Sequence, residues 1–273
     1  MCLGCNLTLL TCTKHKIAVT FRPMDKDKLQ IINRFNNNVR GKVPSTNGAN
    51  VKHSGKEGHW LEVQMGIAQN ANNAPDLFGY EMKNQTSTKT TFGDWSASYY
   101  IWHDENLNIN RENFLKIFGK PNPKKGGRFS WSGEPIPKIN QHSTFGQILY
   151  IDSHKNIIIE YSYSHDQRNN KKSIIPTTMQ IEHLILARWD YEWMKTKVED
   201  KFNQKGWFKC LKDKSGTYSE IVFGEPITYE NWLNGVRNGL IFFDSGMYQT
   251  NSRNYSQWRA LNTYWDSLIT ERY

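Results

Sequence analysis

Three side chains within the stretch NNAPDLFGYEMKNQTS, residues 72 to 87, could do chemistry together: Asp76, Glu81 and Lys83. DLFGYEMKNQ reads as a strand, in which residues two apart point the same way. Glu81 and Lys83 therefore share one face, and Tyr80 and Met82 take the other. A carboxylate beside an ammonium, with a second carboxylate just upstream, is the minimal set for metal-assisted hydrolysis of a phosphodiester. Asp76 and Glu81 supply hard oxygen ligands for Mg²⁺, while Lys83 can orient or help deprotonate the attacking water and counter developing charge. The bare pattern of an acid, a second acid, any residue and lysine arises by chance about once or twice in a chain of this size. The plainer reading is a surface strand with an ion pair.

The elements around this set must position it. Leu29, Ile32 and Phe35 recur at helical spacing between Asp25 and Val39, followed by a Gly/Pro/Asn-rich loop through Asn50. GHWLEVQMGI fits a short helix with Trp60, Val63 and Ile67 on one face, and Glu62 lies beside that face. After the strand, the polar TSTKTT segment ends it and SASYYIW reads as a second strand. NRENFLKIFG reads as a helix with Phe114, Ile117 and Phe118 turned inward. KPNPKKGGRFSWSGEPIPKINQ marks a long ordered excursion rather than core. FGQILYID and NIIIEYSYSHD form a hairpin with one buried face. Then come a strand (HLILARWD), a helix (YEWMKTKVEDKFNQ), a strand (YSEIVFGEPI), a helix (TYENWLNGVRNG) and a strand (LIFFD). The fold class expected is α/β, or α+β, with a mixed central β-sheet flanked by helices.

The chain has 273 residues, 37% of them hydrophobic and 13% aromatic, with ten tryptophans, so it can bury a sizeable core. A net charge of +9 favours a polyanionic partner, nucleic acid before a membrane surface. A Lys-, Asn- and Ile-rich composition inherited from an AT-rich genome is the bland alternative. No run approaches the roughly 18 apolar residues of a membrane span, and the N-terminus lacks the basic region of a secretory signal, so a cytoplasmic location is expected. Cys2, Cys5 and Cys12 lack the second ligand pair of a zinc site, only His15 being near, and translation from Met24 would remove them altogether. The scattered histidines read as structural, His165 being the one worth testing.

The stretch GKEGHWLEVQMGIAQNANNAPDLFGYEMKNQTS carries a resemblance. Through Pro75, Asp76, Glu81, Met82 and Lys83 it is similar to the PD-(D/E)xK nuclease superfamily. A preceding helix with a Leu-Glu pair and a following glycine makes it look like the MutH-like branch, nearest the type II restriction endonucleases of the MvaI and BcnI kind (ScrFI-like). The resemblance implies a restriction-endonuclease-like core with DNA-binding excursions and Mg²⁺ as cofactor. Its catalytic set would be Asp76, Glu81 and Lys83, with Asp76 and Glu81 on the metal and Glu62 as an additional acid. It further implies a monomer that cuts double-stranded DNA at a short site of CCNGG kind, and a cognate DNA methyltransferase acting on the same site without a stable complex. The competing expectations are a MutH-like nicking enzyme and a non-catalytic DNA-binding module.

A sequence-specific nuclease needs base-reading segments, and two have suitable composition. In PKKGGRFSWSGEPIPK, Lys124, Lys125 and Arg128 can meet phosphates or guanine, and Trp131 can wedge or stack at a deformed step. In DSGMYQTNSRNYSQWRALNTYW, Gln249, Asn251, Arg253, Gln257 and Arg259 accumulate in a carboxylate-poor stretch that reads as a loop entering a helix. Amides suit adenine edges and arginine suits guanine edges, so this is the preferred reader. Basic solvated loops packed through buried tryptophans are the plainer reading of both. The expected division is an N-terminal extension (1–24), a catalytic part (25–119) and a remainder carrying the rest of the sheet and the DNA-recognition part (120–273).

Overall fold

The computed structural model describes residues 25–45, 55–68 and 72–273. The three N-terminal cysteines and Met24 lie outside the described residues.

In chain order the elements are α1 (Lys26–Asn38), α2 (Lys56–Met65), β1 (Tyr80–Asn84), β2 (Lys89–Asp94), β3 (Tyr99–Tyr100), α3 (Arg111–Phe118), β4 (Lys120–Pro121), β5 (Phe129–Trp131), β6 (Phe145–Ile151) and β7 (Ile157–Asp166). They continue with α4 (Lys171–Ile174), β8 (Leu184–Trp189), α5 (Tyr191–Phe202), β9 (Gly206–Lys212), β10 (Tyr218–Gly224), α6 (Tyr229–Arg237), β11 (Ile241–Ser245), β12 (Met247–Tyr248), β13 (Ser256–Leu261), α7 (Asn262–Ser267) and β14 (Ile269–Arg272). Among the described residues the strands form four small sheets, ordered β1-β9-β10-β14, β11-β13-β2, β12-β5-β4 and β3-β8-β7-β6, which is an α+β arrangement. No helix among them is long and apolar enough to cross a membrane.

The sheet that matters for the site is mixed. β1 runs parallel to β9, and β9 runs antiparallel to β10, so strands from both halves of the chain meet here. Its two faces serve different cores. Tyr80 and Met82 of β1, with Phe208 and Cys210 of β9, pack into a smaller apolar cluster against Ile31, Ile32 and Phe35 of α1 and Leu61 and Met65 of α2. Trp207, facing the other way, joins the larger cluster with Phe92, Phe202 and Trp265. Glu81 and Lys83 stand in register with Trp207 and Lys209, on that same second face.

Several expectations shift by a face or an element. Leu29 is 46% and Val63 56% exposed, because Ile31 and Ile32, and Leu61 and Met65, form the buried stripes of α1 and α2 instead. TSTKTT does not merely end a strand: its last residues open β2, which pairs with β13. SQWRAL is a strand rather than part of a helix, with Ser256, Trp258 and Ala260 buried and Gln257, Arg259 and Leu261 pointing away; α7 begins only at Asn262. The period of two outweighs the helical spacing of Trp258, Leu261 and Trp265. β9 escapes sequence reading because, buried on both faces, it shows no contrast between a wet and a dry side.

Candidate active site

Asp76 does not lie on the strand. It precedes a tight turn in which Leu77 and Tyr80 exchange backbone hydrogen bonds, of 2.8 and 3.0 Å, while Phe78 (φ 52°) and Gly79 (φ 84°) are both left-handed. Two consecutive left-handed residues are the signature of a type I′ turn, and a phenylalanine in that region is a local strain. The turn folds Asp76 back over β1, where its Oδ2 accepts the Met82 amide at 2.9 Å. Asp76 and Glu81 are thereby brought together from opposite ends of the turn.

Glu81 and Lys83 are 2% and 8% exposed. Lys83 Nζ donates to Glu81 Oε1 at 2.9 Å and to the Phe92 carbonyl of β2 at 3.1 Å, and it lies 5.0 Å from the Phe202 ring centre. A second ammonium, from Lys201 on α5, reaches the same oxygen at 3.0 Å. The other oxygen, Glu81 Oε2, is buried without a hydrogen-bond partner among the described residues. Burial, reinforced by the charge of Glu81, raises the Asp76 carboxyl to about 6, against the pull of Lys201, the Met82 amide and Lys83. Burial lowers the Lys83 ammonium, and the adjacent Glu81 opposes that shift. Taking such charges out of water costs on the order of several kcal/mol per ion and rarely improves stability, so the cluster calls for a functional explanation.

The donor set suits Mg²⁺. That ion keeps several waters and takes one or two protein carboxylates together with substrate phosphate oxygens. Two acidic side chains converge here, and one carboxylate oxygen is desolvated and unpartnered. No group of three or more acidic, histidine or cysteine side chains that could hold an ion is formed among the described residues.

Glu62 stands apart from this set. Its carboxylate is 39% exposed and 3.7 Å from His59 Nδ1, because Leu61 and Met65 claim the buried side of α2 and leave the next position at the flank. Lys201 and Lys209 join the site from outside the sequence pattern. Lys209 is 1% exposed, lies in register with Lys83 and pairs only loosely with Asp266, at 3.7 Å. The sequence does hold a signal for Lys201. It follows Val198 by one helical turn and Met194 by two, so a charge sits at the edge of the buried stripe Met194, Val198, Phe202.

The two expected DNA-reading segments come together. β5 pairs with β12, Gln249 exchanges hydrogen bonds with the Phe129 backbone at 2.8 and 2.9 Å, and the Arg128 guanidinium lies 3.6 Å from the Tyr248 ring centre. Lys124 and Lys125 are exposed on the turn before β5. Trp131 is corrected: it is fully buried, its Nε1 donating to Gln147 Oε1 at 2.7 Å, and it cannot wedge into DNA. Asn251 bonds within its own loop, donating to the Tyr248 hydroxyl and accepting from the Arg253 amide. Arg253 is largely exposed and pairs with Asp94. Gln257 and Arg259 project from the same side of β13, and Arg259 bonds Thr91 Oγ1 at 2.9 Å and Asp244 Oδ2 at 3.0 Å. Arg111 holds this loop from below, donating to the Tyr248 and Arg253 carbonyls and to Asn254 Oδ1. His165 stacks on His142 at 3.8 Å, and His183 pairs with Glu160.

Comparison with known proteins agrees with this geometry. The family model for the LlaMI restriction endonuclease matches residues 39–273. The type II restriction enzyme ScrFI of Lactococcus lactis subsp. cremoris is 49% identical over 268 residues, covering 91% of this chain and 99% of its own. Among solved structures, restriction endonuclease MvaI in complex with its cognate DNA substrate superposes with a TM-score of 0.62 at 14% identity, over 92% of this chain and 98% of that one, which establishes a shared fold. The resemblance seen in the sequence is thus borne out, and the chain belongs to the LlaMI restriction endonuclease family, enzymes of the type II, site-specific deoxyribonuclease class.

Proposed function

We propose that this restriction endonuclease hydrolyses both strands of double-stranded DNA at the Asp76, Glu81 and Lys83 centre, where Asp76 and Glu81 would hold Mg²⁺. The observation that carries this reading is the buried Glu81 carboxylate, whose charge is felt by Asp76, with one oxygen paired to two ammoniums and the other without a hydrogen-bond partner among the described residues. The metal, when bound, polarises the phosphate and stabilises the leaving oxygen. The protein's own part is positional and electrostatic. The Met82 amide fixes Asp76, and the Phe92 carbonyl and Glu81 fix Lys83. The lysine ammonium is thereby placed to orient the attacking water and to counter the negative charge that develops as the new P–O bond forms and the old one breaks.

The net charge of +9 supports binding of the phosphate backbone. The junction of the two segments through β5 and β12, which carries Lys124, Lys125, Arg128, Gln249, Asn251 and Arg253, supports sequence reading by arginine and amide groups, with Gln257 and Arg259 on one side of β13 as further candidates. The resemblance read in the sequence further leads us to propose a cytoplasmic monomer acting on a short CCNGG-like site, with a cognate methyltransferase acting on the same site without a stable complex. Incubation with unmethylated phage DNA and Mg²⁺ tests the reading. Discrete double-strand fragments are expected, and they should vanish in Glu81→Gln. Nicks confined to one strand, or binding without cleavage in Mg²⁺ or Mn²⁺, would overturn it.

A further inference from the structure

We infer that Lys201 is a positioning residue that holds the acidic pair as a resident counter-charge, keeping the DNA-free enzyme from loading its metal ion. The inference rests on the catalytic centre proposed above. Glu81 accepts two ammoniums on one oxygen, at 2.9 and 3.0 Å, from residues on different elements. Lys83 has a second acceptor in the Phe92 carbonyl and so has a fixed place without Glu81's full charge. Among the described residues, the one ion pair of Lys201 is with Glu81.

A divalent ion on the same carboxylate would face both ammoniums. At close range in a poorly screened site, such repulsion changes an affinity by roughly tenfold or more. Lys201 also borders open space. Its side chain is 16% exposed, and it lines a cleft of about 330 Å³ with Asn72, Asp94, Trp193 and Lys197. A DNA phosphate entering the site offers the ammonium a new partner, so the carboxylates become available to the metal when substrate arrives. Metal loading and DNA binding then reinforce each other.

The probe is Mn²⁺, with the free ion counted by its electron paramagnetic resonance signal, titrated into the full chain without DNA. Lys201→Met should bind Mn²⁺ roughly tenfold more tightly than the native protein. Lys201→Arg, which keeps the charge, should stay close to native. Glu81→Gln should bind far more weakly. Lys201→Gln is a second neutral variant, and thermal melting of each chain identifies one that fails to fold. If Glu81→Gln weakens binding but both neutral Lys201 variants bind like the native chain or more weakly, the inference is wrong and the site stands. If Glu81→Gln leaves Mn²⁺ binding unchanged, the ion is not held at these carboxylates, and both readings fall.

Discussion

Asp76→Asn should make the DNA-free enzyme more stable while abolishing cleavage, and the gain should depend on pH. The Asp76 carboxyl titrates near 6 in the fold and near 3.8 in the unfolded chain, a difference of about two pH units. At 1.36 kcal/mol per unit, ionised Asp76 costs the metal-free fold at most ~3 kcal/mol. The sign follows from proton uptake. Between pH 3.8 and 6 the native state holds a proton that the unfolded state has lost, so this contribution is fully present below 3.8 and is lost as pH rises through 6. Asparagine stays neutral throughout and keeps an oxygen for the Met82 amide. Urea unfolding in EDTA from pH 4 to 8 is the assay. The variant should exceed the native chain by up to ~3 kcal/mol at pH 8, by less as pH falls, and by little near pH 4. A native chain as stable as the variant at pH 8, or a gap that ignores pH, would refute the desolvated acidic pair.

Lys83→Met should lower cleavage roughly a hundred- to a thousandfold with cognate DNA affinity nearly unchanged, as measured by single-turnover digestion and gel shift. Trp131→Ala should destabilise the fold by about 3–5 kcal/mol by leaving a cavity against Phe114 and an unpaired Gln147; a stable variant defective only in DNA binding would restore the wedge reading. Replacing Lys124 and Lys125 together by Ala should reduce the slope of log affinity against log salt by about 2 without altering site preference, if each meets a phosphate.

Much of the candidate site was legible in the sequence because it is local. The Glu81 and Lys83 pairing follows from the period of a strand alone, and the glycine of FGYE sits where the turn needs a left-handed residue. Phe78 gave no such cue, because its left-handed conformation is imposed by the turn against its own preference. Lys201 and Lys209 come from elements more than a hundred residues away in sequence, and nothing in their neighbours says which strand they will face. Trp131 shows the opposite failure. A tryptophan among cations in a proline- and glycine-rich stretch has the composition of a nucleic-acid contact, yet its fate was decided by Gln147, a buried amide that accepts its N–H and donates to the Phe118 carbonyl. Likewise SQWRAL satisfies both helical and strand periodicities over so short a run, and only pairing with β2 and β11 selects the strand.

That pairing also sets the distance between reading and cutting under the proposed function. β2 presents the Phe92 carbonyl to Lys83, and one residue earlier it presents the Thr91 hydroxyl to Arg259 Nε. The Arg259 guanidinium is meanwhile neutralised by Asp244, which also pairs with Lys89 at the start of the same strand. If Arg259 grips a guanine edge with two parallel hydrogen bonds through its terminal nitrogens, it exchanges Asp244 for the base and keeps the Thr91 hydroxyl as its anchor on Nε, adjacent in sequence to the group that holds Lys83. A wrong base leaves the arginine with Asp244, since a half-buried donor that loses one acceptor without gaining another raises the free energy of the complex. Discrimination would therefore be expressed at the strand that fixes Lys83, rather than at a separate reading domain whose state has to be relayed to the cutting centre.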